Sequence, residues 1–127
     1  MQEQHLYEYA VIRVLPKVER EEFLNVGLVV FCKKSKFIKM KYQLDWEKLR
    51  LFSTELDQEE LTAYLAAFEK IAHGTPDGGP IARMDVPSRF RWLTAVRSSV
   101  LQTSRPHPGF ATDLEKTFDC LFKELVL

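Results

Sequence analysis

The alternation of apolar and polar positions divides this chain into elements before any other property is considered. Leu6–Leu15 is rich in aromatic and β-branched residues and ends at Pro16, the pattern of a β-strand. Pro16–Glu22 is a charged connection. Leu24–Cys32 is nearly continuous in apolar residues, with Leu24, Val26, Leu28, Val30 and Cys32 on one side and Asn25, Gly27, Val29 and Phe31 on the other. Such a run predicts a central strand covered on both sides. After a turn at Lys33-Lys34-Ser35, Ile38, Met40 and Tyr42 alternate with Lys39, Lys41 and Gln43, a half-buried strand with a basic outer face. Three strands with short links predict an antiparallel meander.

Helical spacing follows. Asp45 is placed to cap a short helix holding Trp46, Leu49 and Phe52. Asp57 with Glu60 resembles a capping box, and Leu61, Tyr64, Leu65, Phe68, Ile71 and Ala72 then recur on one helical face until Gly74, a natural C-terminal cap. Residues 74–87 hold three glycines and three prolines and read as loop. Ser88 would cap a short turn through Arg91 and Leu93. Ser99–Thr103 suits a fourth strand, ended by Pro106 and Pro108. Thr112 with Glu115 forms a second capping box opening a C-terminal helix with Leu114, Phe118, Leu121, Phe122 and Leu125 on one face. The order β-β-β-α-α-β-α predicts an α+β fold: an antiparallel sheet of about four strands with helices packed on one face.

Composition narrows the class. With 127 residues, the expectation is a single globular domain over 1–127, able to bury roughly two-thirds of its unfolded surface without disulfide or metal. Its 18 basic and 18 acidic side chains give zero net charge, which argues against disorder and against a globally basic nucleic-acid binder. No apolar run approaches the length of a membrane span. Cys32 and Cys120 both sit in apolar runs and read as buried thiols of a reducing compartment. The polar start Met1–His5 is unlike a signal peptide, so the expected location is cytoplasmic. The zero hides a segmental pattern. Residues 1–50 are net +3, 51–85 net −5, 86–111 net +4 and 112–127 net −2. Sign asymmetry of this kind bears on partners rather than on fold.

Several landmarks together resemble one family: Tyr9-Ala10-Val11-Ile12-Arg13, Glu19–Gly27, Gly79-Pro80-Ile81, Arg89-Phe90 with Trp92-Leu93, and Arg97–Ser104. They are similar to the bacterial domain of unknown function 3037 (DUF3037), over nearly the whole chain. The chain departs from that pattern at Val96 and Arg105, where a proline is expected. The resemblance implies a small bacterial cytoplasmic protein with no established activity. It also implies an accessory role beside kinase-like proteins that resemble the toxin kinases of persistence modules.

Two constellations stand out as candidate anion or ligand sites. In the first, Arg13 shares an outer sheet face with Asn25 and Gly27; it would hold a carboxylate or phosphate, or simply pair with Glu21 or Glu22 while Asn25 and Gly27 shape a bulge. The second is the polar tract Arg97, Ser98, Ser99, Gln102, Thr103 and Ser104. Its hydroxyls and guanidinium would bind an anion, or would fasten an edge strand. Ser104, His107 and Asp113 have the residue types of a hydrolase triad but lack a nucleophile elbow, so no catalytic residue is assigned. His5, His73 and His107 are isolated and the acids form no Ca²⁺ loop, so no metal or cofactor is expected. Gly74–Pro80 is glycine-rich but runs into proline where a phosphate loop would need Lys-Ser or Lys-Thr. Lys33, Lys34, Lys36, Lys39 and Lys41, interleaved with Phe37 and Tyr42, suit either single-stranded nucleic acid or, more commonly, a charged strand edge.

The leading expectation is a non-enzymatic accessory module that binds a protein partner, its acidic helix residues Glu55, Asp57, Glu59, Glu60 and Glu69 meeting a basic surface. One alternative is a binder or enzyme for a phosphorylated small molecule or nucleotide through Arg13 and Arg97; another is nucleic-acid binding through the lysine strand. A homo-oligomer is compatible with all three.

Overall fold

The computed structural model describes residues 3–52, 56–97 and 99–127, with the side chains of Val18 and Phe52 outside the description. Strand β1 (His5–Val14) pairs antiparallel with β2 (Leu24–Cys32), and β2 with β3 (Phe37–Tyr42), the expected meander. Two helices follow, α1 (Trp46–Phe52) and α2 (Gln58–His73), then α3 (Val86–Leu93), strands β4 (Leu101–Thr103) and β5 (His107–Ala111), and α4 (Leu114–Leu125). The fold is α+β, with a five-stranded antiparallel sheet and four helices against it. No helix among the described residues is long and apolar enough to cross a membrane.

The local signals explain most helix boundaries. The Asp57 carboxylate accepts the Glu60 amide, and Gly74 closes α2 at φ 63°, a left-handed conformation suited to glycine. Asp45 accepts the Lys48 amide at the start of α1. Two caps differ from the expectation. Asp85 rather than Ser88 caps α3, accepting the Ser88 amide, so the region read as loop and turn holds a helix with Pro87 in its first turn. Asp113 rather than Thr112 caps α4, accepting the Lys116 amide. In both cases a nearby carboxylate, three residues before Ser88 and one after Thr112, outcompetes a hydroxyl for the free amides, as its negative charge suits a helix N-terminus.

The helices do not all pack on one face. Ala10, Ile12, Val14, Val29 and Phe31 meet α1, α2 and α3 through Leu49, Leu65, Phe68, Phe90 and Leu93. Leu28, Val30 and Cys32 point the other way, onto Phe118 and Phe122 of α4. The reason is β2: it is apolar on both sides, and burying only one would leave Leu28, Val30 and Cys32 in water. Each large side chain so covered is worth about 1.5–3 kcal/mol. Lys39 and Lys41 on β3 finish the α4 interface. Their ammonium groups lie 4.8 Å from the ring centres of Phe118 and Phe122, and Lys39 pairs with Glu115 at 2.7 Å.

The expected fourth strand, Ser99–Thr103, forms as the shorter β4, and β5 is an additional strand that runs through Pro108, one of the two prolines expected to end the strand. Ile12 faces Thr103 and Tyr9 faces His107, so two β1 residues lie opposite three, Ser104, Arg105 and Pro106. This bulge separates β4 from β5. Pro106 has no amide to give the ladder, and Ser104 repairs it. Its amide donates to the Val11 carbonyl at 2.8 Å and its buried hydroxyl accepts the Val11 amide at 2.9 Å. A second bulge sits where Ile12 faces Gly27 but Arg13 faces Asn25, leaving Val26 extra. Here the β3 backbone comes close: a Cβ on Gly27 would stand 2.9 Å from the Lys41 carbonyl oxygen. The two cysteines also part company. Cys32 is fully buried under α4, whereas Cys120 is exposed on the outer side of that helix, opposite Phe118 and Phe122.

Ser104→Ala removes the acceptor for a buried amide and is expected to cost about 1–3 kcal/mol, read as a lower urea midpoint at unchanged slope. In native protein a thiol reagent is expected to modify Cys120 alone, with Cys32 reacting only on unfolding; equal reaction of both would contradict this packing.

Candidate functional site

Arg13 and Arg97 do not converge. Arg13 alternates with Ile12 and Val14, which enter the core under α2, so it stands on the opposite face. Asn25 and Gln102 are its direct partners across the two neighbouring strands, so the three share one row on the α4 side. The amides of Asn25 and Gln102 are spent within the fold, whereas the Arg13 Nε is buried with no hydrogen-bond partner among the described residues. The Asn25 amide donates to the Leu125 carbonyl at the end of α4, and the Gln102 amide to the Ser99 carbonyl. The Arg13 guanidinium lies 4.2 Å from the Phe23 ring centre instead of bonding Glu21 or Glu22; Glu22 pairs with Arg20. Thr103 pairs with Ile12 and faces the α2 side, its hydroxyl buried. Ser98, also a candidate, lies outside the described residues, as does Glu55.

Arg97 belongs to a different setting. Its guanidinium carbon is 5.0 Å from the Phe68 ring centre and 4.8 Å from that of Trp92. The same group donates to the Trp92 and Leu93 carbonyls at the end of α3. It thus caps that helix with positive charge where the carbonyls concentrate negative charge, while two aromatic faces hold it in place. Burial pulls its pKa below the usual arginine value.

Beside Arg97 the surface opens into a trough. A hollow of roughly 520 Å³ lies between Tyr64 and Phe68 of α2, Trp92 of α3, and Arg97, Ser99, Val100 and Leu101. A second, of roughly 200 Å³, continues it toward Pro16, Leu56 and Asp57. Glu60, Tyr64 and Val100 line both. The Tyr64 hydroxyl donates to the Glu60 carboxylate at 2.7 Å, one helical turn away. The trough is therefore aromatic and apolar along its length, acidic at one end and cationic at the other. Of its residues, Arg97 and Ser99 of the polar tract and Asp57 and Glu60 of the acidic helix stand out in sequence as binding groups. Tyr64 and Phe68 repeat at core spacing, and nothing in the chain says that the helix turns Tyr64 outward; the one local sign is the Glu60–Tyr64 spacing.

The triad residue types have separate tasks. The Ser104 hydroxyl is committed to Val11, the His107 ring packs 5.3 Å from that of Tyr9, and Asp113 caps α4. No three His, Cys, Asp or Glu side chains converge as a metal site among the described residues. On β3, Phe37 packs toward α4 and Tyr42 toward α2, so the lysine strand offers no single platform for stacking bases.

Fold and site together define a small α+β protein with a bipolar aromatic trough. Residues 9–126 match the family described as Protein of unknown function (DUF3037), and the chain belongs to that family. Neither the curated proteins nor the solved structures contain a match to it.

The hydrogen bond to Glu60, helped by the carboxylate's charge, raises the Tyr64 pKa above its ordinary 10.0. This favours the neutral phenol in the folded state. The resulting stability is present below about pH 10 and lost as pH rises through the folded value. In an ultraviolet titration the transition absent from Tyr64→Phe is expected above pH 10, and Glu60→Gln should move it down.

Proposed function

We propose that this chain is a non-enzymatic accessory module of the bacterial cytoplasm that takes a short segment of a protein partner into the trough between α2 and Arg97, Ser99, Val100 and Leu101. The observation that carries this reading is the trough itself: exposed Tyr64 and Trp92 beside Phe68, Val100 and Leu101, an apolar surface that a partner's side chain would cover. Charge selects the occupant. The smaller hollow carries Asp57 and Glu60 and no lysine or arginine among its described lining, so an apolar side chain with a Lys or Arg beside it fits best. A kinase-like partner, as the family's associations suggest, is one protein that would present such a segment.

The rival readings draw less support. A phosphorylated ligand held by Arg13 and Arg97 together would have to reach both faces of the sheet. Nucleic acid on the lysine strand would compete with α4 for Lys39 and Lys41, whose charges already lie over its rings.

Fluorescence-anisotropy titration with short labelled peptides tests the reading. Peptides with an aromatic or large aliphatic residue beside Lys are expected to bind, and replacing that Lys by Glu should weaken them about tenfold or more. Tyr64→Ala and Val100→Glu should each abolish most of the binding, with the melting temperature close to wild type in Tyr64→Ala and lowered in Val100→Glu, whose native side chain packs against the core. Unchanged binding in both variants would move the site elsewhere.

A further inference from the structure

We propose that the trough recognises two opposite charges at once: a basic group at the Asp57–Glu60 end and a carboxylate at Arg97, about four residues apart along an extended segment. This rests on the trough being the partner site and specifies what the site reads.

Glu60, Tyr64 and Phe68 fall at i, i+4 and i+8 and form one stripe along α2. At a rise of about 1.5 Å per residue, Glu60 and Phe68 are about 12 Å apart along the helix axis. Arg97 sits against Phe68, at the far end of that stripe from Glu60. An extended peptide advances about 3.3 Å per residue, so about four residues span the two charges, with apolar side chains facing Tyr64 and Trp92 between them.

The cationic end is equipped for a carboxylate. A guanidinium has five N–H donors, and Arg97 gives two hydrogen bonds, to the Trp92 and Leu93 carbonyls. The Phe68 and Trp92 rings crowd it from one side, their centres 5.8 Å apart, and occupy none of its N–H donors, so donors remain to spare. No carboxylate among the described residues pairs with it. A part-buried cation with unspent donors at the rim of an apolar hollow gains most from an arriving carboxylate, where the hydrogen bonds are charge-assisted and partly shielded from water. At the other end, Glu60 already accepts from Tyr64, which fixes the carboxylate in place for a partner's ammonium or guanidinium.

The test is calorimetric titration with amidated peptides holding one Lys, two apolar residues and one Glu, the charges spaced two to six residues apart. Affinity is expected to peak near a spacing of four. Glu→Gln in the best peptide should weaken it about tenfold, and Arg97→Gln should cancel that difference without further loss for the Gln peptide. Because Arg97→Gln also uncaps α3, Glu60→Gln against a Lys→norleucine peptide gives the matching cycle at the other end. A Gln peptide with a free C-terminal carboxylate tells a terminal from a side-chain carboxylate; recovery of affinity assigns the terminal one. If Gln and Glu peptides bind alike, the carboxylate site is wrong while the trough stands. Affinity independent of spacing likewise overturns it. If no peptide binds, the trough reading falls as well.

Discussion

The structure turns on one strand with no solvent face. β2 is apolar on both sides, so the sheet must be covered twice: by α1, α2 and α3 over Val29 and Phe31, and by α4 over Leu28, Val30 and Cys32. That requirement sends the C-terminal helix across to the opposite face. It also accounts for the lysines of β3, whose ammonium groups lie over the Phe118 and Phe122 rings of α4. What resembles a nucleic-acid surface in sequence is the border of a helix–sheet interface.

The second strand of consequence is β1, which pairs on both edges and is irregular against both partners. Opposite β2 the extra residue is Val26, and Gly27 permits the close approach of β3. Opposite β4 and β5 the extra residue is taken up around Ser104, whose hydroxyl substitutes for a backbone acceptor. Upstream of β4 the chain holds to β1 for one more bond, the Val100 carbonyl accepting the Leu15 amide at 2.7 Å, and stands beside α2. There it brings Arg97, Val100 and Leu101 against Phe68 and Trp92 and makes the far wall of the trough. The polar character of the Arg97–Ser104 tract thus has two origins: Ser104 mends a ladder, and Arg97 fastens a helix end.

The segmental charges neutralise one another only in part. Lys39 of the basic N-terminal segment meets Glu115 of the acidic C-terminal one, and Lys70 meets Asp77 within the acidic middle. The arginines of the third segment turn to carbonyls and rings: Arg89 to Ala82, Arg97 to Trp92, Leu93 and Phe68. Among the described residues Asp57 and Glu60 face the trough with no ion pair, and Arg97 likewise pairs with no carboxylate. Opposite charges that stay apart inside one groove suit a ligand carrying both signs.

Much of this was legible in the chain, and the reason is that it was local. Alternation marked β1, β2 and β3; 3.6-residue spacing with Asp57 and Gly74 marked α2; the family landmarks marked the whole. Local chemistry also explains the misplacements, since Asp85 and Asp113 compete with nearby hydroxyls for the same free amides. Other features were decided only by tertiary structure. Arg13 reads as an anion holder or a partner of Glu21 or Glu22, and Arg97 as an anion holder or a strand fastener; that Arg13 lies on Phe23 and Arg97 on the end of α3 depends on packing, not on spacing along one strand. Tyr64 and Phe68 share a periodicity with Leu61 and Leu65. Whether an aromatic at that spacing enters the core or lines a trough depends on where α3, Arg97 and Ser99–Leu101 come to rest. Sequence determined the elements and their amphipathic faces, because these are properties of neighbours in the chain. The trough exists only where segments some thirty residues apart meet, and that meeting is set by long-range packing of the sheet against its helices.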